Sequence, residues 1–518
     1  MISRRPPPPI LRYVANPFLL LSIAAIVKQR WAAIRQIRYT LNSFVIIRNM
    51  QKVGGSETKT QGFAKRFFEE HGLKSVIQQE RRSGAILRDA VNRNRVAGKG
   101  GVYAVCSAHP SVIDAAILQA MEDDSFLLVE STSSQVNQLG GYTGQTPGQF
   151  ADFVHSAARH LGLPADRILL GGDHLGPFPW RATASSNALK KACQLVRACV
   201  RAGYGKIHLD ASMACAGDTK LLPERIVAER AAMLCEAAEQ ALKDSPQGAA
   251  FPLYVIGTEV PAPGGESASG TPPVATTVES LHRTLEIFQQ AFEEKGLSAA
   301  WQRVVGVVVQ PGVEFGDDVV FEYDGSKARS LSLGLPRSPS LVYEAHSTDY
   351  QSPRALAQMV KDHFAILKVG PWLTFAFREA VFALSAIERE VFAGSKALRL
   401  SKVQEVLDRA MLRKPAYWRS YYHGDDRQLR LSRAYSYSDR CRYYWHEPAV
   451  RAEIARLVEN LKTHSFPRTL VSQYLPQEYE AIRAGQIEEQ PAAIIRYHIQ
   501  LVLRVYATAC GRKRHGLP

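Results

Sequence analysis

Short apolar runs alternate with longer amphipathic stretches along most of the chain, beginning near residue 100. The amphipathic stretches have the period of a helix, as in Ser111–Met121, Ala188–Ala202 and Pro223–Ala241. Nearly continuous apolar strands are typical of a parallel sheet that is covered by helices. We therefore predict eight strands, at Val102–Cys106, Ser125–Glu130, Ile168–Gly172, Lys206–Asp210, Leu253–Gly257, Val304–Val309, Leu341–Ala345 and Ala365–Val369.

Eight strand-then-helix units predict an α/β fold of the TIM (β/α)₈ barrel type over residues 73–396, a span that suits the ~250 or more residues of such barrels. A doubly wound open sheet is the alternative, but no GxGxxG motif follows the first strand. Residues 397–518 have another character, with amphipathic helices at Leu398–Arg413, Pro448–Lys462 and Pro491–Thr508 and an aromatic-rich segment between the first two. We expect them to form a helical C-terminal cap packed against the barrel.

Residues 1–72 form a basic, partly apolar extension. Its apolar run, residues 14–27, is shorter than the ~20 residues that span a bilayer. The run has the length of a signal-peptide core, yet no convincing A-x-A cleavage site follows it. Three interpretations stay open: sequence outside the folded enzyme with Met50 as a start, a membrane or targeting segment, or a structural extension.

Composition and charge narrow the class of protein. The 518 residues are 46% hydrophobic and 22% charged, as in ordinary globular proteins. Of the net charge of +15, +8 lies in residues 1–50, and no nucleic-acid-binding motif is present, so we expect no nucleic-acid partner. Seven scattered cysteines form no CxxC pair and predict reduced thiols in a cytoplasmic enzyme.

Polar side chains follow each of the eight predicted strands at the point where its apolar run stops. The carboxyl ends of barrel strands carry the chemistry in enzymes of this fold, so the pattern predicts an enzymatic pocket. A kinase is disfavoured, because the chain has no GxxxxGK[ST] motif.

Three imidazoles at these strand ends, His174, His208 and His346, predict a divalent metal site for Zn²⁺, Mn²⁺ or a similar ion, with Glu259 as a carboxylate ligand. The alternative is that these histidines orient loops by hydrogen bonding. Asp173 is the expected catalytic base beside His174, and Glu344 is a second candidate catalytic carboxylate. Barrel phosphate sites often follow the last two strands, which makes Ser347, Thr348 and Lys368 candidates to bind a phosphosugar. The remaining candidate substrate contacts are Gln135, Asn137, Asp210 and Gln310.

Long motifs occur in one order from about Leu73 to about Cys510. They resemble the Z-type, so-called non-catalytic subunit family of class II D-tagatose-1,6-bisphosphate aldolase. The resemblance implies a TIM barrel, a role in tagatose-phosphate metabolism and a separate catalytic aldolase subunit as a partner. Some members are similar to D-tagatose-6-phosphate 4-epimerases, and the Tyr422–Asp426 segment looks more like that branch. The motifs include VCSAHPSVIDAAI, ESTSSQVNQLGGYTGQTP, ILLGGDHLGP, KIHLDASMACAGD, VYEAHSTDYQ and YSYSDRCRYYW.

The barrel is also similar to the zinc class II aldolases. Their Asp-His pair on the third strand matches Asp173 and His174, and their ligand on the seventh strand matches His346. Their sixth-strand ligand is a histidine in a His-Gly pair, and Gln310-Pro311-Gly312 stands in its place here. Glu259, His208 or Gln310 would have to complete such a site.

Two functions remain in competition. The first is metal-dependent C4 epimerisation of D-tagatose 6-phosphate to D-fructose 6-phosphate by retro-aldol and aldol steps. The second is a non-catalytic subunit that stabilises a class II aldolase. In either case we expect the chain to form a homo-oligomer.

Overall fold

The computed structural model describes residues 84–245, 251–258, 272–336, 338, 340–395 and 398–512. The N-terminal extension, residues 1–72, lies outside the described residues, and so does the candidate ligand Glu259. The limits of the extension, the barrel and the cap therefore stay predictions.

Eight parallel strands close into a barrel, which confirms the predicted TIM architecture over the open sheet. The order around the barrel is β1-β10-β9-β6-β5-β4-β3-β2, so the first and last barrel strands are neighbours. A two-stranded antiparallel hairpin, β7 and β8, follows β6 and was not predicted. The strands are β1 Val102–Val105, β2 Leu127–Thr132, β3 Ile168–Leu175, β4 Lys206–Leu209, β5 Leu253–Gly257, β6 Val304–Val308, β7 Glu314–Phe315, β8 Val320–Phe321, β9 Val342–Ala345 and β10 Phe364–Val369.

Helices follow the barrel strands, and several begin with proline in the first turn, where a missing amide proton costs nothing. Thr146 and Gln149 add a capping box at the start of α3. The helices are α1 Gly84–Ala97, α2 Pro110–Glu122, α3 Pro147–Leu161, α4 Ser185–Arg201, α5 Glu224–Lys243, α6 Val278–Glu294, α7 Ser298–Trp301, α8 Arg329–Gly334, α9 Pro353–Lys361, α10 Pro371–Val391, α11 Val403–Arg413, α12 Asp426–Tyr435, α13 Pro448–Thr463, α14 Arg468–Tyr474, α15 Pro476–Arg483 and α16 Pro491–Ala509.

An apolar layer fills the barrel at the amino ends of its strands. Leu87 and Val91 of α1 pack there against inward-facing strand residues such as Val102, Leu128 and Leu253. Because this end is filled by aliphatic side chains, polar chemistry is confined to the opposite end.

Two strands extend further toward that opposite end than the apolar pattern predicted. β2 continues to Thr132 and β3 to Leu175, so the backbone ladder runs into polar residues. The sequence interpretation ended both strands where apolar residues stop. Inside a barrel, however, polar residues near the carboxyl ends of the strands can still be buried, as Ser131, Asp173 and His174 are.

The C-terminal helices pack on the barrel. α16 contacts α2, α9 and α10, and the carbonyl of Cys510 accepts a hydrogen bond from Gly101 just before β1. The Ser436 hydroxyl and the Tyr437 amide both bond to Asp317, in the turn between β7 and β8. Among the described helices, none is both long and apolar enough to cross a membrane.

His498 on α16 joins three helices of this region. Its Nδ1 lies 2.8 Å from Glu478 Oε1 of α15, and its Nε2 lies 3.4 Å from Glu379 Oε2 of α10. Burial lowers the pKa of His498, but hydrogen bonds to Glu379 and Glu478 outweigh it and raise that pKa to about 9.

Replacing this histidine, His498→Ala, should therefore destabilise the protein in a pH-dependent way. A raised folded-state pKa contributes stability that is complete below ~6.5 and is lost as the pH rises through about 9. We expect a loss of about 1.5–3 kcal/mol at pH 6 and a smaller loss at pH 10, measured by denaturant unfolding. The exposed His160→Ala is the control, and an equal loss at both pH values would contradict the assignment.

Candidate active site

A layer of buried charge crosses the barrel interior above the apolar layer. Lys206, the first residue of β4, places Nζ 2.5 Å from Glu130 Oε1 of β2 and 2.6 Å from Glu344 Oε2 of β9. All three side chains are fully buried. Two carboxylates thus share one ammonium group, which ties three strands together across the interior.

Lys368 of β10 adds a second ammonium group on the cavity side of this layer. Its Nζ is ion-paired with Glu130 Oε2, and it lies 2.9 Å from Asp173 Oδ1. A glycine makes room for the pairing: a Cβ on Gly171 would lie 2.8 Å from Glu130 Cγ. β3 therefore needs glycine opposite this carboxylate.

The three predicted imidazoles converge at the carboxyl end of the barrel. The ring centres of His174 and His346 are 4.8 Å apart, and those of His208 and His346 are 5.2 Å apart. His208 Nδ1 lies 3.1 Å from Asp173 Oδ1, and His346 Nε2 lies 3.1 Å from Glu344 Oε1. The structure thus gathers five of the predicted site residues around one point.

A bulge in β3 turns Asp173 and His174 to the same side. The register against β4 shifts by one residue between Gly172 and Leu175, and His174 has a φ of 47°. Adjacent strand residues ordinarily face opposite sides, whereas both of these side chains contact interior groups. His174 Nδ1 is 2.9 Å from Asp210 Oδ2, and Gly176 permits this approach, since its Cβ would lie 1.6 Å from the Asp210 carbonyl oxygen.

Burial and neighbouring charges shift the pKa values of these groups in opposite directions. Burial raises the pKa of Asp173, but His174, His208 and His346 outweigh it and hold that pKa well below its usual range. Burial lowers the pKa of His174, but Asp173 and Asp210 outweigh it and raise that pKa to about 9. Burial dominates at the remaining two cavity groups, lowering the pKa of His346 and lowering that of Lys368 to about 8.

The donor set fits a divalent cation. Asp173, His208, Glu344 and His346 each offer a ligand atom, and these atoms all lie within 4.8 Å of one another. Within the described part of the chain, the buried Nε2 of His208 has no hydrogen-bond partner, while its Nδ1 is beside Asp173. A carboxylate that orients an imidazole in this way is typical of metal-binding histidines. Two imidazoles and two carboxylates suit Zn²⁺ or Mn²⁺.

The carboxylates of this region outnumber its ammonium groups. Lys206 and Lys368 pair with Glu130, Asp173 and Glu344, whereas Asp210 pairs with His174. Even with His174 protonated, negative charge remains in excess. A cation bound there would balance it.

A cavity of about 730 Å³ opens above these groups, within the range of small-molecule sites. Asp173, His174, His346 and Lys368 line its floor, whereas His208 and Glu344 are buried beneath it. The C-terminal helical region forms much of the opposite wall, with Arg442, Tyr443, Trp445, His446, Arg451 and Arg496.

Two of the predicted substrate contacts accept hydrogen bonds from backbone amides of their own loops. Asn137 Oδ1 accepts from the amides of Leu139 and Gly141, and Gln310 Oε1 accepts from those of Gly312 and Val313.

Others line the cavity or bond within the fold. Gln135 lines the cavity and donates to the Cys106 carbonyl, and Ser347 also lines it. The hydroxyl of Thr348 donates 2.5 Å to the carbonyl of Lys368 and does not reach the cavity. The substrate roles of Gln135, Asn137, Asp210, Gln310, Ser347 and Thr348 stay predictions.

Sequence reasoning gave no role to Glu130, Lys206 or Arg442. Lys206 stands two residues before His208 on β4, and residues two apart share a face, so this lysine could have been placed in the interior. Arg442 had no such signal, because its position depends on how the C-terminal region packs.

A family model described as D-tagatose-1,6-bisphosphate aldolase subunit GatZ/KbaZ-like matches residues 87–511. A crystal structure of a probable tagatose 6 phosphate kinase from Sinorhizobium meliloti 1021 is 43% identical, with a TM-score of 0.72. That match covers 79% of this chain and 100% of the other.

Two further solved structures are more distant. A putative fructose-1,6-biphosphate aldolase from Coccidioides immitis is 13% identical over 76% of this chain and 99% of its own, with a TM-score of 0.36. A fructose-bisphosphate aldolase from Campylobacter jejuni is 15% identical over 74% of this chain and 93% of its own, with a TM-score of 0.37. Scores this low carry no argument about chemistry.

Removing the shared ammonium group, Lys206→Met, should destabilise the protein by about 3–5 kcal/mol, because two buried carboxylates lose their common partner. The control is Lys295→Met, which removes an exposed pair with Glu236 and should cost about 0–1 kcal/mol. Denaturant unfolding of both variants measures the difference. Equal losses would show that the buried pairing does not stabilise the barrel.

Proposed function

We propose, on the premise that this chain belongs to the D-tagatose-1,6-bisphosphate aldolase subunit GatZ/KbaZ-like family, that it is a metal-dependent ketohexose-6-phosphate 4-epimerase. The proposed reaction converts D-tagatose 6-phosphate to D-fructose 6-phosphate. The family supports tagatose-phosphate metabolism as the setting. The observation that carries the proposal is the group of four ligand atoms, from Asp173, His208, Glu344 and His346, of which Asp173 and His346 line a sugar-sized cavity and the other two lie directly beneath it.

The chemistry of the substrate selects the route. In a 2-ketohexose the hydrogen on C4 is not adjacent to the carbonyl, so a base cannot remove it readily. Inversion instead follows from breaking the C3–C4 bond, rotating the aldehyde and forming the bond again on the other face. The C4 hydroxyl proton leaves in the first step and returns in the second, and the electron pair of the broken bond stays on the C1–C3 fragment as an enediolate, while C4–C6 becomes the aldehyde.

His208, His346 and Glu344 are the residues that would hold the cation, and the cation, when bound, would supply Lewis acidity at the sugar carbonyl. Asp173 is the member of the group of four that is a carboxylate and also lines the cavity, so we assign to it the transfer of the C4 hydroxyl proton. His174 donates from Nδ1 to Asp210, which leaves its Nε2–H to donate a hydrogen bond to the substrate.

The non-catalytic alternative has its own support. The description of the family is that of an aldolase subunit, and a subunit without activity of its own would stabilise a catalytic partner. In that case the buried ion pairs around Lys206 would serve stability alone.

An assay of the purified protein separates the two functions. Incubated alone with D-tagatose 6-phosphate and Mn²⁺ or Zn²⁺, it should form D-fructose 6-phosphate, and chelation should stop the reaction. If no product forms with either metal while a catalytic aldolase is stabilised by the protein, the non-catalytic function is correct.

The same reaction in D₂O tests the route. Carbon-carbon cleavage leaves the C4 hydrogen on its carbon, so the product should carry no deuterium at C4 when examined by NMR. Deuterium at C4 would show direct proton removal and would contradict retro-aldol chemistry.

A substitution on the cavity floor tests the site. His346→Ala should lower kcat at least about 100-fold and weaken metal binding, because it removes an imidazole from the group of four. His160→Ala, an exposed histidine on α3, is the matched control and should leave both unchanged. Calorimetric titration with Mn²⁺ and steady-state kinetics measure the two effects; wild-type values for His346→Ala would remove it from the site.

A further inference from the structure

Arg442 lies on the cavity wall formed by the C-terminal helical region. One of its terminal nitrogens donates to the carbonyls of Ser438 and Asp439, the latter at 3.0 Å, and the other donates 3.0 Å to the Tyr443 hydroxyl. These neutral acceptors fix the guanidinium plane. Asp439 and Asp349 act on its positive charge only from beyond ion-pair distance.

Several other buried or half-buried arginines of the fold form ion pairs with acids. Arg230, Arg303 and Arg433 lie 2.8, 2.5 and 2.6 Å from Asp218, Glu239 and Asp408, respectively. In the described part of the chain, no carboxylate oxygen lies within 4.0 Å of the Arg442 guanidinium. A half-buried, oriented cation that faces a cavity is suited to an anionic ligand.

The phosphate position expected after the last two barrel strands is already in use. Asp349 Oδ1 accepts from the amides of Gly370 and Trp372 at 3.0 and 2.9 Å, so a carboxylate occupies the start of α10. Lys368 is engaged by Glu130 and Asp173. A phosphate at this end of the helix would meet negative charge, and the nearby ammonium group is committed elsewhere.

We infer that Arg442 binds the phosphate group of the substrate. This inference rests on the proposed function, since it takes a phosphorylated ketohexose as the ligand. The sugar carbons then face Asp173 and His346 on the floor, and the phosphate points to the C-terminal wall. Arg451 and Arg496 line the same cavity and add positive potential along its wall. The planar guanidinium can donate two parallel hydrogen bonds to phosphate oxygens.

Binding measurements test the assignment without requiring turnover. Arg442→Gln should weaken D-tagatose 6-phosphate binding about 10- to 100-fold in calorimetric titration. Its affinity for unphosphorylated D-tagatose should stay within about twofold of wild type, because only the phosphate loses a partner. Arg419→Gln is the matched control, since Arg419 is exposed, lies over Trp418 and does not line this cavity.

Arg442→Lys tests phosphate binding by Arg442 if Arg442→Gln does not fold. It keeps the charge and loses the planar fork, so we expect a weakening of about threefold to tenfold for the phosphorylated sugar only. Inorganic phosphate should compete with D-tagatose 6-phosphate in the wild type and compete less well in either variant.

The outcomes separate this inference from the proposed function. Phosphate-selective loss in a protein without epimerase activity would support Arg442 and overturn the epimerase. Epimerase activity with an unchanged KM in Arg442→Gln would support the epimerase and overturn the role of Arg442. Equal weakening for sugar and sugar phosphate, or no binding of D-tagatose 6-phosphate by the wild type, would also overturn it.

Discussion

Two buried carboxylates that share one buried ammonium group set the conditions for the rest of the site. Lys206 lies between Glu130 and Glu344 with no access to water, so each charge depends on the others for stabilisation. Desolvation of ions is costly, and a pairing of this kind persists only where the geometry is good. The three charged side chains come from three different strands, so closure of the barrel and pairing of the charges depend on each other.

The separation of layers follows from this constraint. Aliphatic side chains and α1 fill the amino end, and the cavity with its imidazoles and carboxylates lies toward the carboxyl end. The β3 bulge directs Asp173 and His174 to one side, on the cavity side of the buried ion pairs around Lys206. A positive φ at His174 is a strained conformation, of the kind found where surrounding contacts hold a functional side chain in place.

The fold was predictable from local pattern because parallel barrel strands are buried on both faces and read as apolar runs. The same reasoning failed where strands turn polar inside the barrel, as in the last residues of β2 and β3. It gathered His174, His208 and His346 correctly in space, because carboxyl ends of barrel strands meet. It gave no role to Lys206, which looked like a boundary residue, or to Arg442, whose place depends on long-range packing.

The central claim is that His208, His346 and Glu344 hold a divalent cation at the base of the cavity. Anomalous diffraction from crystals grown with Mn²⁺, recorded near the manganese edge, tests it most directly. The account predicts one strong peak between His208, His346 and Glu344. A map with no peak inside the barrel, or with manganese only at surface carboxylates, would contradict the account.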